Sequence, residues 1–152
     1  MPGKILEIYI AEQGARPVAR LAVQVEANKG VVGDRYFNGE GTFSEKLAGN
    51  RKSEITFIAA EEIDRFNASQ DEALGYGDVR RNVVTRGVAL KELIGKEFTI
   101  GPAKFMGIEH CEPCAHLAAT VNSKVLPHLL HTGLRAAILQ SGEIAVGQEV
   151  IS

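Results

Sequence analysis

Short apolar runs with a two-residue period, each ended within a few positions by glycine, asparagine or proline, most constrain how this chain folds. Over residues 5–10, Leu6, Ile8 and Ile10 share one side and Glu7 and Tyr9 the other, the pattern of a half-buried strand. Residues 13–17 (Gln-Gly-Ala-Arg-Pro) read as a turn. Residues 18–26 then alternate again, with Leu21, Val23 and Val25 expected inward and Arg20, Gln24 and Glu26 outward. Asn28, Lys29 and Gly30 form the next turn, before the short pair Val31 and Val32.

Further strands are expected over 55–58, 79–84, 98–100 and 104–109, the last two joined by Gly101 and Pro102. Residues 134–140 and 143–151, linked by Ser141 and Gly142, read as a closing hairpin. Helical spacing is confined to short pieces. Residues 60–67 place Ile63 and Phe66 on one side, 89–94 make one or two turns with Gly95 just past their end, and 121–132 end before Gly133 as a cap. Pro127 moves the start of that last helix to about residue 126. Residues 37–54 are polar and glycine-rich with neither period, a loop long enough to imply a function such as a lid, or disorder. The fold class is therefore mainly β with a few short helices, a barrel or sandwich rather than alternating βαβ units.

With 152 residues and no repeat or linker, the chain reads as a single domain over residues 1–152. Its formal net charge of -2 argues against a general nucleic-acid binder. The first residues, Met1 to Ile5, carry no long apolar stretch of the kind that directs export. No apolar run approaches the ~20 residues that span a bilayer. The expectation is a cytoplasmic protein with reduced thiols, without membrane or nucleic-acid partners.

Reactive side chains concentrate in one place. The stretch His110-Cys111-Glu112-Pro113-Cys114-Ala115-His116 holds both cysteines and two of the four histidines. Thiols and imidazoles carry nucleophilic, redox and soft-metal chemistry. A strand ending near residue 109 and broken by Pro113 would present Cys114 at its end. His110, Cys111, Cys114 and His116 offer the donors of a tetrahedral zinc site, but adjacent residues on a strand point to opposite faces, and no second cysteine pair exists. Cys-x-x-Cys also suits a thioredoxin-like redox site, without the surrounding βαβ order. Cys111 reads equally well as a small buried filler.

Arg35, Arg80, Arg81 and Arg135 each lie next to a turn or a strand start, where guanidinium groups suit bidentate capture of phosphate or carboxylate. Each alone reads as a surface charge; together with the glycine-rich loop they suggest an anion-binding rim. Gly75-Tyr76-Gly77 lacks the strand–loop–helix setting of a nucleotide loop.

An ordered set of segments carries a family resemblance. It comprises Gly33-Asp34-Arg35-Tyr36, Gly41-Thr42-Phe43-Ser44, the run from Arg80-Arg81-Asn82 to Gly87, and Leu93-Ile94-Gly95-Lys96-Glu97-Phe98. Glu112-Pro113-Cys114, Gly133-Leu134-Arg135-Ala136 and the run from Gly142 to Gly147 complete it. Over about residues 5–150 the chain resembles the MOSC domain family, named for the C-terminal domain of molybdenum-cofactor sulfurases.

The resemblance implies a MOSC-type β-barrel that handles the molybdenum cofactor (molybdopterin). It implies Cys114 as the sulfur carrier, through a persulfide, or as the thiolate contacting molybdenum. Arg35, Arg81, Asn82 and Arg135 are expected to bind the cofactor. It further implies sulfur transfer or a component of a cofactor-dependent oxidoreductase, with a cysteine desulfurase or a molybdoenzyme as partner. Pyridoxal phosphate is expected on such a desulfurase and not on this chain. Two other readings stand beside this one. One is a non-catalytic zinc or thiol redox-sensing module built on His110, Cys111, Cys114 and His116. The other is chemistry on N-hydroxylated or hydroxylated purines. Cys111 either resolves a Cys114 persulfide or packs.

Overall fold

The computed structural model of the chain describes residues 3–11, 16–34, 54–111 and 133–152. Among these described residues the alternating runs become eleven strands: β1 (Lys4–Ile10), β2 (Val18–Arg20), β3 (Ala22–Glu26), β4 (Gly30–Val31), β5 (Ile55–Ala59), β6 (Val83–Arg86), β7 (Glu97–Ile100), β8 (Ala103–His110), β9 (Gly133–Gln140), β10 (Gly142–Ala145) and β11 (Val150–Ile151). Among the described residues the only α-helix is α1 (Ala60–Gln70), and a 3-10 turn spans Leu90–Leu93. Gly95, at φ 77°, follows that turn in the left-handed conformation expected there.

Eight strands form one sheet in the order β11-β7-β8-β9-β5-β6-β1-β2, and β10-β3-β4 form a second. Within the large sheet β5 and β6 run parallel, with α1 in the connection between them. Past β11 the sheet returns to β1. Lys4 bridges Glu149, the Val150 N–H donates to the Gly3 carbonyl (2.8 Å) and the Ile5 N–H to that of Gln148 (2.9 Å). The mainly β, barrel-type class read from the sequence is what the chain adopts.

One core fills the space between the sheets. Ile5, Ile8, Phe57, Val83, Phe98, Phe105, Leu134 and Ile138 of the large sheet meet Val23, Val25, Val31 and Ile144 of the small one. At its centre Phe57, Phe98 and Phe105 have ring centroids 5.3–5.8 Å apart. A smaller cluster outside the barrel packs Ile63 and Phe66 of α1, as their spacing predicts, on Ile58, Val79 and Val84.

Four sequence expectations change. The alternation of β1 breaks at a bulge between Ile5 and Glu7, so Ile5 and Ile8 face the core while Leu6 and Tyr9 turn toward α1. Residues 18–26 form two strands rather than one, in different sheets, and at the switch Leu21 is 83% exposed instead of inward. The strand expected from residue 79 starts at Val83, because Val79 to Asn82 belong to an irregular connection. Finally, β9 and β10 do not pair as a hairpin: β10 pairs with β3 and β11 with β7. Leaving β9 at Ser141, the chain crosses to the small sheet, and the Ser141 hydroxyl accepts the Ala27 N–H at 2.8 Å.

Gly133 opens β9. The helix it was expected to cap, like the loop over 37–54 apart from Glu54, lies outside the described residues.

Candidate functional site

One region of the large sheet gathers the described site residues. Arg135 of β9 lies across from Glu109 of β8 on one side and Thr56 of β5 on the other. Thr56 is bonded to Asn82, which is bonded in turn to Tyr9 of β1. Strand alternation puts this polar band on the side away from Phe57 and Leu134, so it faces out of the barrel.

Asn82 is 92% buried (8% exposed) and knits three strands together. Its side-chain oxygen accepts the Thr56 N–H (3.0 Å) and hydroxyl (3.2 Å), and its nitrogen donates to the Tyr9 carbonyl (3.3 Å). The Asn82 N–H donates to the Thr56 hydroxyl at 3.0 Å, and the Asn82 carbonyl accepts the Tyr9 N–H at 2.6 Å. This carboxamide anchors the start of β6, directly after Arg81.

Arg81 reaches across to the end of β8. Its guanidinium donates to the Cys111 carbonyl at 3.3 Å and the Val79 carbonyl at 3.4 Å. Gly133 makes room for it: a Cβ there would lie 2.5 Å from the Cys111 carbonyl oxygen and 3.3 Å from Arg81 Nε. Cys111 is itself buried, and its N–H donates to the Gly133 carbonyl at 2.8 Å. The side chain of Arg135 is 15% exposed, with Nε 4.0 Å from a Glu109 carboxylate oxygen that is far more accessible.

The same end of the sheet is where the chain leaves toward residues 12–15, 35–53 and 112–132. Ala11 and Asp34 meet there, the Ala11 N–H donating to the buried Asp34 carboxylate at 2.9 Å. A small recess beside them is lined by Tyr9, Ile10, Ala11, Pro17, Asp34, Arg80, Arg81 and Asn82. Burial and a hydrogen bond to Glu7 push the Tyr9 phenol well above its usual range, so it is neutral at physiological pH.

Of the residues singled out from sequence, Arg81, Asn82 and Arg135 therefore come together; Arg35 and Cys114 lie outside the described residues. So does His116, and the remaining donors of the zinc reading are a buried Cys111 and a half-buried His110. Among the described residues no three His, Cys, Asp or Glu side chains cluster as a metal site would need. Sequence reasoning did not single out Thr56, Tyr9 or Glu109. Each joins the site through cross-strand register, for which no local signal exists.

No helix among the described residues is long and apolar enough to cross a membrane. No curated protein sequence matches the chain. Solved structures do match its fold. The YuaD protein from Bacillus subtilis superposes with a TM-score of 0.83 at 18% identity, over 99% of this chain and 94% of that one. YiiM from Geobacillus stearothermophilus gives 0.71 at 17% identity, over 99% and 74%. YiiM from Escherichia coli gives 0.63 at 14% identity, over 99% and 67%. The MOSC domain profile matches residues 44–151, well over half of the sequence. The chain therefore belongs to the MOSC domain family.

Proposed function

We propose that this chain binds the molybdenum cofactor at the outer polar band and presents Cys114 to it, as a persulfide that carries sulfur or as a thiolate that contacts molybdenum. The observation that carries the reading is the bond from the Arg81 guanidinium to the Cys111 carbonyl. It sets a cation at the root of the segment that leads, three residues later, to Cys114.

The residues present fit such a group. Molybdopterin ends in a phosphate, and Arg81 and Arg135 bring guanidinium donors of the right charge to neighbouring strand ends. Arg35, which follows the buried Asp34, is the third cation proposed for this rim. Asn82 serves by position: with its oxygen committed to Thr56, it fixes the backbone from which Arg81 extends. When bound, the cofactor supplies a molybdenum centre that accepts soft sulfur ligands.

The protein's own part is to hold the phosphate, orient the ligand and keep a thiol ionised. Guanidinium groups near a cysteine favour its thiolate, the form that attacks sulfur donors and binds metals. A cysteine desulfurase is the proposed source of the sulfur and a molybdoenzyme its destination, both acting in the cytoplasm.

Copurification tests the reading. Wild-type protein is expected to retain molybdopterin, detected by its fluorescence after oxidation. Cys114→Ala is expected to lose molybdenum or the persulfide seen by native mass spectrometry, and Arg81→Ala to lose most of the pterin. Equal retention in all three proteins overturns the site.

A further inference from the structure

We infer that a cavity at the opposite end of the barrel binds a free α-amino acid with an apolar side chain, Glu92 receiving its ammonium group and Lys96 its carboxylate. The inference does not rest on the cofactor reading. In the antiparallel pair β1–β6, Ile8 lies across from Val83 beside the polar band, whereas Lys4 lies across from Arg86 at the other end. Just past Arg86 the chain borders a cavity of about 400 Å³, with Gly3, Gly87 and the 3-10 turn on one side and β11 on the other. Sites for small molecules commonly span roughly 300–1,000 Å³.

Its walls are fixed by the fold. The Gly87 N–H donates to the Glu61 carboxylate of α1 at 2.7 Å. Gly3 packs so closely on this rim that a Cβ there would lie 2.4 Å from Val88 Cγ2 and 2.5 Å from the Gly87 carbonyl oxygen. The same Gly3 carries the bond from the Val150 N–H that joins β11 to the N-terminal end of β1. Across the cavity, the Glu92 N–H donates to the Ala89 carbonyl (3.1 Å) and the Lys96 N–H to that of Leu93 (3.0 Å).

The lining combines an apolar floor with two opposite charges. Leu93 and Val150 are buried and Val88 half-buried, while Glu92 and Lys96 are exposed at the same cavity. Among the described residues neither charged side chain has an ion pair or hydrogen bond. On an α-helix a glutamate four positions before a lysine pairs with it. Here the helical path breaks between them: Ile94 is extended (ψ 124°) and Gly95 left-handed (φ 77°). A simple anion would satisfy Lys96 and be repelled by Glu92; a simple cation would do the reverse. A zwitterion satisfies both through charge-assisted bonds, and an apolar side chain buries against Val88, Leu93 and Val150.

Calorimetric titration of the full chain with L-leucine tests this, with glycine, N-acetyl-leucine and leucinamide as controls. Leucine is expected to bind on the order of tenfold more tightly than each control, which lacks the side chain, the ammonium charge or the carboxylate charge respectively. Glu92→Gln is expected to reduce leucine affinity to about that of N-acetyl-leucine, and Lys96→Gln to about that of leucinamide. Both residues are exposed, so both variants are expected to melt at the wild-type temperature. No binding of leucine at millimolar concentration, or equal affinity for leucine and its three controls, overturns the inference. So does full leucine affinity in both variants. Each measurement is made without the cofactor, so this inference and the cofactor reading fail separately.

Discussion

At the scale of single residues, the site depends on side chains whose partners lie far away in sequence. Tyr9 shows this best. Its hydroxyl is bonded to Glu7, its main chain to Asn82, and its ring lies against Gly77. Because folding raises the phenol above its ordinary value of 10.0, the neutral form is favoured in the folded state. The resulting stability is fully present below about pH 10 and is lost as pH rises toward the folded value. Chemical denaturation of wild type and Tyr9→Phe between pH 8 and pH 11 is expected to show a steeper loss above pH 10 in the wild type; parallel curves would count against the assignment. Arg135 stood out in the sequence as a candidate because an arginine beside a turn suits anion capture, whereas Asn82 was pointed to only by the family resemblance. That Asn82 works through Thr56 was not legible, because the two are twenty-six positions apart and meet only in the parallel β5–β6 pair.

Whole strands and turns set the frame for those contacts. Gly107 in β8 runs against the 3-10 turn: a Cβ there would lie 2.0 Å from the Leu93 carbonyl oxygen. The Gly95 N–H donates to the Gly107 carbonyl, and the Gly107 N–H to that of Lys96, so the backbones are locked together. Gly107→Ala is expected to cost about 3 kcal/mol or more, since backbone must move to admit the methyl group. Urea unfolding measures this, and a cost below ~0.5 kcal/mol would contradict the close approach. Most strands were legible as alternating runs, and α1 from Ile63 and Phe66. The misplaced ones share a cause. A period-two pattern reports that a face is buried but cannot register an extra residue, as in the β1 bulge, or a change of sheet, as at Leu21 and Ser141.

For the molecule as a whole, closure matters most. The barrel is completed by main-chain bonds between β1 and the residues from Gln148 to Val150. Deleting residues 148–152 removes those bonds and the pairing of β11 with β7. The truncated protein is expected to unfold at lower denaturant concentration, and the Ile5 amide to exchange with solvent at least about tenfold faster. Unchanged exchange at Ile5 would show that the ring holds without its last strand.

The sequence by itself determined the mainly β class, the place of most strands and turns, the family, and a short set of polar residues worth attention. Those features are local: side-chain period, turn chemistry and ordered motifs are properties of neighbouring residues. Only the tertiary structure decided which strands pair, which face each side chain occupies, and that Arg81 reaches the Cys111 carbonyl while Arg80 is held in a left-handed turn beside it. Hydrogen-bond partners and burial are fixed between segments far apart in the chain, and a one-residue shift of register would change them all.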